Sequence, residues 1–226
     1  MSAHKDTTTS RVTHFIAPPT TLVSSAALLL FVALLPTIAS ASSFQILEQS
    51  PAHLGKAFAG TASDIADASS VFFNPAGIVA IEKPTLTLGA NAIFTQATFN
   101  NQNSNTNGTN GKTDEIGYVP NVYYAHPVSE KLSFGLGVNA PYGLASKYGD
   151  DWNGRYLATY SQLEIVNINL VGAYRLSDAL SLGLGINYQL ANVTLESQFD
   201  STLEVAPSPV SDSSTKIQGD DENIAA

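Results

Sequence analysis

Apolar and polar side chains alternate with a period of two from Pro84 onward: Leu86, Leu88, Ala90, Ala92 and Phe94 fall on one face, and Thr85, Thr87, Gly89, Asn91 and Thr95 on the other. Successive strand side chains point to opposite faces, so this stretch predicts a strand with one greasy and one polar side. The pattern returns with Leu132, Phe134, Leu136 and Val138 set against Ser133, Gly135, Gly137 and Asn139, and again from Leu180 through Leu182, Leu184, Ile186, Tyr188 and Leu190. A strand from Leu163 to Tyr174, with Val166, Ile168 and Leu170 opposite Asn167 and Asn169, and one near Val119 to His126 bring the predicted number to five. Apolar side chains facing lipid, with Gly, Ser, Asn and Gln turned inward, are what a transmembrane β-barrel requires. The connections alternate in the same sense. Residues 128–131 and 175–179 are tight turns of the periplasmic kind, whereas 100–116 and 141–162 are long and polar, as outer loops are. The expected class is therefore all-β, an antiparallel transmembrane β-barrel.

The flanking segments lack this period. Residues 42–82 are rich in Ala, Gly and Ser, with Gly55, Gly60 and Gly77, and read as short helical turns and loops. Residues 201–226 turn polar and acidic through Asp220, Asp221 and Glu222, and read as a loop or a truncated end after the strands of 83–200. At the start, Lys5 and Arg11 stand against Asp6, Leu22 to Leu35 is apolar or small, and Pro36 leads to Ala39-Ser40-Ala41. That order predicts a secretion signal over 1–41, cleaved after Ala41. Its apolar run is shorter than the roughly 20 residues of a spanning helix. A membrane protein made from this chain must cross with strands. An internal repeat fits a meandering sheet: the run from Ser129 to Asn139 resembles that from Ser177 to Asn187, each carrying Gly-Leu-Gly before an apolar residue and Asn.

Composition narrows the picture further. The chain has 226 residues, a formal net charge of -9 and only 13% charged residues, about half of what a soluble domain carries. It has no cysteine, which removes disulfide scaffolds, thiol catalysis and cysteine-ligated zinc. Basic residues are scattered singly, so nothing is arranged to displace counterions from nucleic-acid phosphates.

Candidate chemistry is sparse. Gly135-Leu136-Gly137-Val138-Asn139-Ala140 matches the loose dinucleotide fingerprint, but the alternation runs through the glycines and Pro141 follows where a helix should be under way. Small inward residues that make room in a barrel explain it better. His53 and His126 are isolated and Asp150-Asp151 sits in a long loop, so no metal site is expected. Serine is plentiful without a G-x-S-x-G elbow. No enzyme activity and no cofactor are expected.

Two blocks carry a resemblance. Ser43-Phe44-Gln45-Ile46-Leu47, Leu54-Gly55-Lys56-Ala57 and Asn74-Pro75-Ala76-Gly77 resemble the N-terminal hatch of the outer-membrane fatty-acid-transporter (FadL/TodX-like) family. Pro141-Tyr142-Gly143-Leu144, Asp151-Trp152-Asn153-Gly154-Arg155-Tyr156 and Asn167-Ile168-Asn169-Leu170 are similar to that family's third strand, outer loop and fourth strand. The likeness covers roughly Ser43 to Thr194. It implies a helical hatch over 42–82 that plugs the barrel from inside, passive transport of long-chain fatty acids or other hydrophobic compounds such as aromatic hydrocarbons, a setting of outer-membrane lipid and lipopolysaccharide, and a complete barrel that is monomeric. It also implies that Phe44 occupies or lines the channel and that Asn74, Pro75, Ala76 and Gly77 shape the plug. In the loop, Leu144, Trp152, Tyr156 and Leu157 offer apolar surface. Arg155 is placed either to hold a ligand carboxylate by paired hydrogen bonds or, with Trp152, to brace the loop. Five strands cannot close a barrel, since bacterial ones begin at about eight, so the chain is expected to be the N-terminal part of a larger one. The rival class is a general porin or a structural outer-membrane protein.

Overall fold

A computed structural model describes residues 44–65, 67–102, 106–200 and 212–225. The predicted secretion signal lies outside the described residues. Six antiparallel strands form one meandering sheet in the order β1 to β6: β1 Thr85–Phe99, β2 Gly111–Pro127, β3 Leu132–Lys147, β4 Tyr160–Ser177, β5 Leu180–Phe199 and β6 Ser213–Ala225. The predicted strands are all present and longer than the apolar alternation alone indicates, so the outer loops are shorter than expected. Among the described residues β1 and β6 are the free edges of an open sheet.

The sheet is polarised as the alternation requires. Leu86, Leu88, Phe94, Phe134, Leu136, Leu170, Leu182, Leu184 and Ile186 are exposed on one face, Leu184 at 83%. Ser133, Asn139, Asn167 and Asn169 on the other are buried. Such a large apolar surface left bare is a liability in water and fits the hydrocarbon of a bilayer. Tyr118 and Phe94, near the long loops, and Tyr124, Phe134 and Tyr174, near the short turns, also stand on the exposed face, where interfacial aromatic girdles are found.

Residues 44–83 cover the polar face. They form two single-turn helices, α1 (Pro51–Leu54) and α2 (Ser70–Phe73), and a 3-10 turn, Pro75–Ala80. Ser50 caps α1 by accepting from His53 N at 3.4 Å, and Pro51 begins it, because proline's missing N–H costs nothing in the first turn. Asn74 ends α2 and Pro75 starts the 3-10 turn, with Asn74 Nδ2 donating to Ala62 O at 2.7 Å. Ala68, Val71, Ile78, Val79 and Ile81 from this segment pack on Tyr123 and Ala125 of β2 and Val171 and Ala173 of β4.

One expectation is corrected. Residues 201–226 were expected as a polar acidic loop or a truncated end, yet Ser213–Ala225 is strand β6, paired with β5 from Asn187↔Ala225 to Phe199↔Ser213. Its side chains are almost all exposed and show no apolar period, so backbone hydrogen bonds to the long β5 define it. A pattern search has no purchase on such a strand.

Candidate ligand-binding site

Among the described residues, the strand pairs from β1–β2 to β4–β5 are continuous except at one seam. β1 pairs with β2 over its whole length, and β4 with β5 nearly so. β2 and β3 pair only from Val122↔Val138 to Pro127↔Ser133. Beyond that point, on the side of the long loops, β3 breaks register against β4 between Asn139 and Tyr142. Proline has no N–H to give a ladder and marks edges and bulges; Pro141 stands inside this irregularity.

Backbone groups released by the parting must find other partners, and residues 44–49 supply them. Ile46 N donates to Pro141 O at 2.8 Å, Gly143 N donates to Phe44 O at 3.0 Å, and Gln49 Nε2 donates to Ala140 O at 2.8 Å. Gln45 and Tyr142 form an antiparallel bridge. A Cβ on Gly143 would lie 2.8 Å from Ile46 Cδ1, so glycine there lets the segment sit close. Gln49 is the hub: Asn139 Nδ2 donates to its Oε1 at 2.9 Å and Tyr123 OH donates to its carbonyl at 3.0 Å. Asn91 Nδ2 donates to Glu48 O at 2.6 Å, and Asn167 Nδ2 to Asn139 Oδ1 at 3.0 Å. The inward asparagines of the alternation are therefore the seat of the N-terminal segment.

The sequence-derived site residues fall into three groups. Phe44, 45% exposed, lies beside Gly143, next in sequence to Leu144, 39% exposed, at the parted strand. Trp152, Arg155 and Tyr156 form a knot in the loop over 148–159. Asn74, Pro75, Ala76 and Gly77 lie against the short-turn end of the wall, where a Cβ on Gly183 would come within 2.4 Å of Ala76 N. A cavity of about 580 Å³ opens there, lined in part by Asn74, Ala76, Gly77 and Arg175. Its floor is tied down by Arg175 Nη2 donating to Val79 O at 3.0 Å.

In the loop knot Trp152 is buried rather than offered to a ligand. It stacks on Tyr148 at 4.4 Å, meets Phe99 edge-on at 5.6 Å, and its Nε1 donates to Ala158 O at 2.8 Å. Arg155 donates from Nε to Asp212 Oδ2 at 2.6 Å, from Nη1 to Asn107 O at 2.7 Å and from Nη2 to Tyr156 OH at 2.9 Å. The guanidinium thus ties three connections together. The hydrogen bond that Arg155 donates to Asp212 holds the guanidinium above its usual range despite desolvation, and burial, then Asp212, raises the Tyr156 hydroxyl. Leu157, at 85% exposure, is the bare apolar side chain of this loop. Sequence reading missed Gln49 and Asp212. Gln49 looks like any polar residue in an aperiodic segment, and Asp212 lies 57 positions from its partner.

A polar-lined sheet with a bare apolar exterior and a covered inner face defines a membrane-facing β-wall of the outer-membrane type. The family model described as "Outer membrane protein transport protein (OMPP1/FadL/TodX)" matches residues 32–225, and the chain belongs to that family. It is 35% identical over 179 residues to the long-chain fatty acid transport protein of Escherichia coli K12, covering 78% of this chain and 40% of that one. It is 32% identical over 176 residues to outer membrane protein P1 of Haemophilus influenzae, covering 70% and 38%. The crystal structure of a Pseudomonas aeruginosa FadL homologue superposes with a TM-score of 0.60 at 19% identity, covering 81% of this chain and 48% of that one, a likeness of fold. The chain thus spans about two fifths of the length of these curated relatives.

Proposed function

We propose that this chain is the plug-bearing part of a passive outer-membrane transporter of hydrophobic compounds, with long-chain fatty acids as the favoured ligand. The observation that carries the reading is the parting of β2 from β3 beyond Val122↔Val138, with residues 44–46 laid into it. A greasy molecule needs a path past the polar lipopolysaccharide and an outlet to the bilayer. A wall held together by neighbouring strands offers none, whereas a seam closed only by a displaceable segment does. Each apolar Å² a ligand buries there contributes about 25 cal/mol, so a long acyl chain binds without an energy source and moves down its gradient. Residues 44–83 act as the hatch inside the closed barrel, with Asn74, Pro75, Ala76 and Gly77 shaping its fixed end and Phe44 with Leu144 at its movable one. The likeness to a protein named for long-chain fatty acid transport supports the acid over an aromatic hydrocarbon.

The test is uptake in cells whose outer membrane lacks such transporters. Cells expressing a closed barrel that includes this chain should take up radiolabelled oleate faster than cells without it, and a covalent tie between residues 46 and 141 through paired cysteines should stop this until reduced. Entry of small polar solutes with no effect on oleate would favour a porin. Selective uptake of toluene would retain the transporter and change its ligand.

A further inference from the structure

Arg155 and Tyr156 together make a carboxylate site, and in this structure the carboxylate is the chain's own. Tyr156 OH lies 3.1 Å from both oxygens of Asp212 while Arg155 Nε donates to Oδ2, and the Arg155 guanidinium lies 4.5 Å over the Tyr156 ring. The Arg155 and Asp212 side chains are 13% and 21% exposed. A guanidinium so poorly solvated does not give up one anion without acquiring another. The pairing is also incomplete. Arg155 contacts Asp212 through Nε alone, with Nη1 serving Asn107 O and Nη2 serving Tyr156, although guanidinium binds carboxylate best through two parallel N–H groups. Among the described residues, one N–H on each terminal nitrogen is left over from the five available.

We infer that Asp212 is a resident competitor for the Arg155–Tyr156 site, and that a ligand carboxylate enters by exchanging with it. The inference rests on the transporter reading above and adds a specificity-determining residue to it. A carboxylate tethered within the chain acts at high effective concentration, so small free anions do not displace it. An amphiphile does, because burial of its acyl chain supplies the difference. Asp212 therefore excludes simple anions from the loop and admits acids with a long apolar tail; the Arg155 guanidinium is paired before and after the exchange, and the displaced Asp212 carboxylate turns to solvent.

The experiment uses the chain in detergent micelles and measures binding of oleate and of methyl oleate, which has the same tail without the charge. The sole tryptophan, Trp152, lies in the same loop and reports its integrity by fluorescence. Asp212→Asn should tighten oleate binding about five- to tenfold by removing the competitor, leave methyl oleate within about twofold, and keep the Trp152 emission. Adding Arg155→Ala to Asp212→Asn should abolish the gain. Unchanged or weaker oleate binding in Asp212→Asn, above all with a red-shifted Trp152, would make Asp212 a brace and overturn the inference while leaving the transporter reading intact if both ligands still bind. Equal tightening for acid and ester would overturn it as well. Binding of neither ligand by any form would remove both readings.

Discussion

The segment 44–83 is held against the wall by two different kinds of contact at its two ends. Near the short turns Val71 and Ile78, both fully buried, pack on Tyr123, Ala125, Val171 and Ala173. Toward the long loops the same wall offers Asn91, Asn139 and Asn167, and the segment answers with Gln49 and with main-chain groups of residues 44–48. Apolar packing is lost when volume changes and has no substitute in water. Amide hydrogen bonds are exchanged for bonds to water at a small net cost. The contrast teaches that one end of the segment is a fixed anchor and the other a latch.

The largest expected effect breaks the anchor. Ile78→Ala should lower stability by about 2–5 kcal/mol, the usual range for emptying a buried aliphatic site, measured by urea unfolding in micelles. Protease should then reach residues 65–80 first. Gly183→Val attacks the same end from the wall, because the added carbon meets the backbone of Pro75 and Ala76 rather than a side chain that can swing away. Overpacking of this kind costs about 1–3 kcal/mol. If the segment responds by lifting off, protease should reach residues 67–80 in this variant as it does in Ile78→Ala. A Gly183→Val protein that stays closed and stable would show that the 3-10 turn shifts freely, and the anchor description would fail.

The latch should respond more weakly and differently. Gln49→Leu removes the hub between Ala140, Asn139 and Ile46, at a cost of about 1–3 kcal/mol for the buried partners left without a bond. Hydrogen exchange should rise at Ile46 and Gly143 while the amides around Val71 keep their protection. Equal loosening at both ends would mean that anchor and latch are one cooperative unit. A fourth substitution acts between them. Ala57 and Phe58 hold positive φ, 51° and 59°, in the turn after α1, a region that side chains disfavour. Ala57→Gly should raise stability by about 1 kcal/mol, seen as a higher melting temperature.

How much of this was legible in the sequence follows from what each feature depends on. The period of two placed Leu86, Phe134, Leu136, Leu170 and Leu184 on one face and Ser133, Asn139, Asn167 and Asn169 on the other, because side-chain direction in a strand is a local property. The Gly-Leu-Gly repeats were read as room inside the wall. Their partners were not readable: Gly135 faces Val71 and Ile78, and Gly183 faces Pro75 and Ala76, contacts that exist only once the segment has docked. The seam depends on register between strands, which Pro141 hints at but does not fix. Arg155 was singled out in the sequence as a residue to hold a ligand carboxylate or to brace its loop. Its occupation by Asp212 was hidden, since an ion pair spanning 57 positions leaves no local pattern, and β6 was hidden for want of an apolar face.

The finest contrast is with the loop knot, which adds a third kind of contact, one that titrates. Tyr156 is raised above the ordinary tyrosine range by burial first and by its hydrogen bond to Asp212 second. The folded loop therefore holds the phenolic proton more tightly than the unfolded loop does. By linkage the stabilisation from this proton is constant below the ordinary tyrosine value of about 10, and is lost as pH rises from there through the raised folded value. Ionised Tyr156 would also face the Asp212 carboxylate, which drives the loop open in the same direction. Trp152 emission should shift to the red above about pH 10, before protease gains access to the anchor around Ile78. Because the chain has nine tyrosines, the assignment requires Tyr156→Phe, which has no proton to lose and should remove the alkaline step in Trp152 emission. If the step persists in Tyr156→Phe, another group holds the loop closed and the knot is not where the outer end is secured.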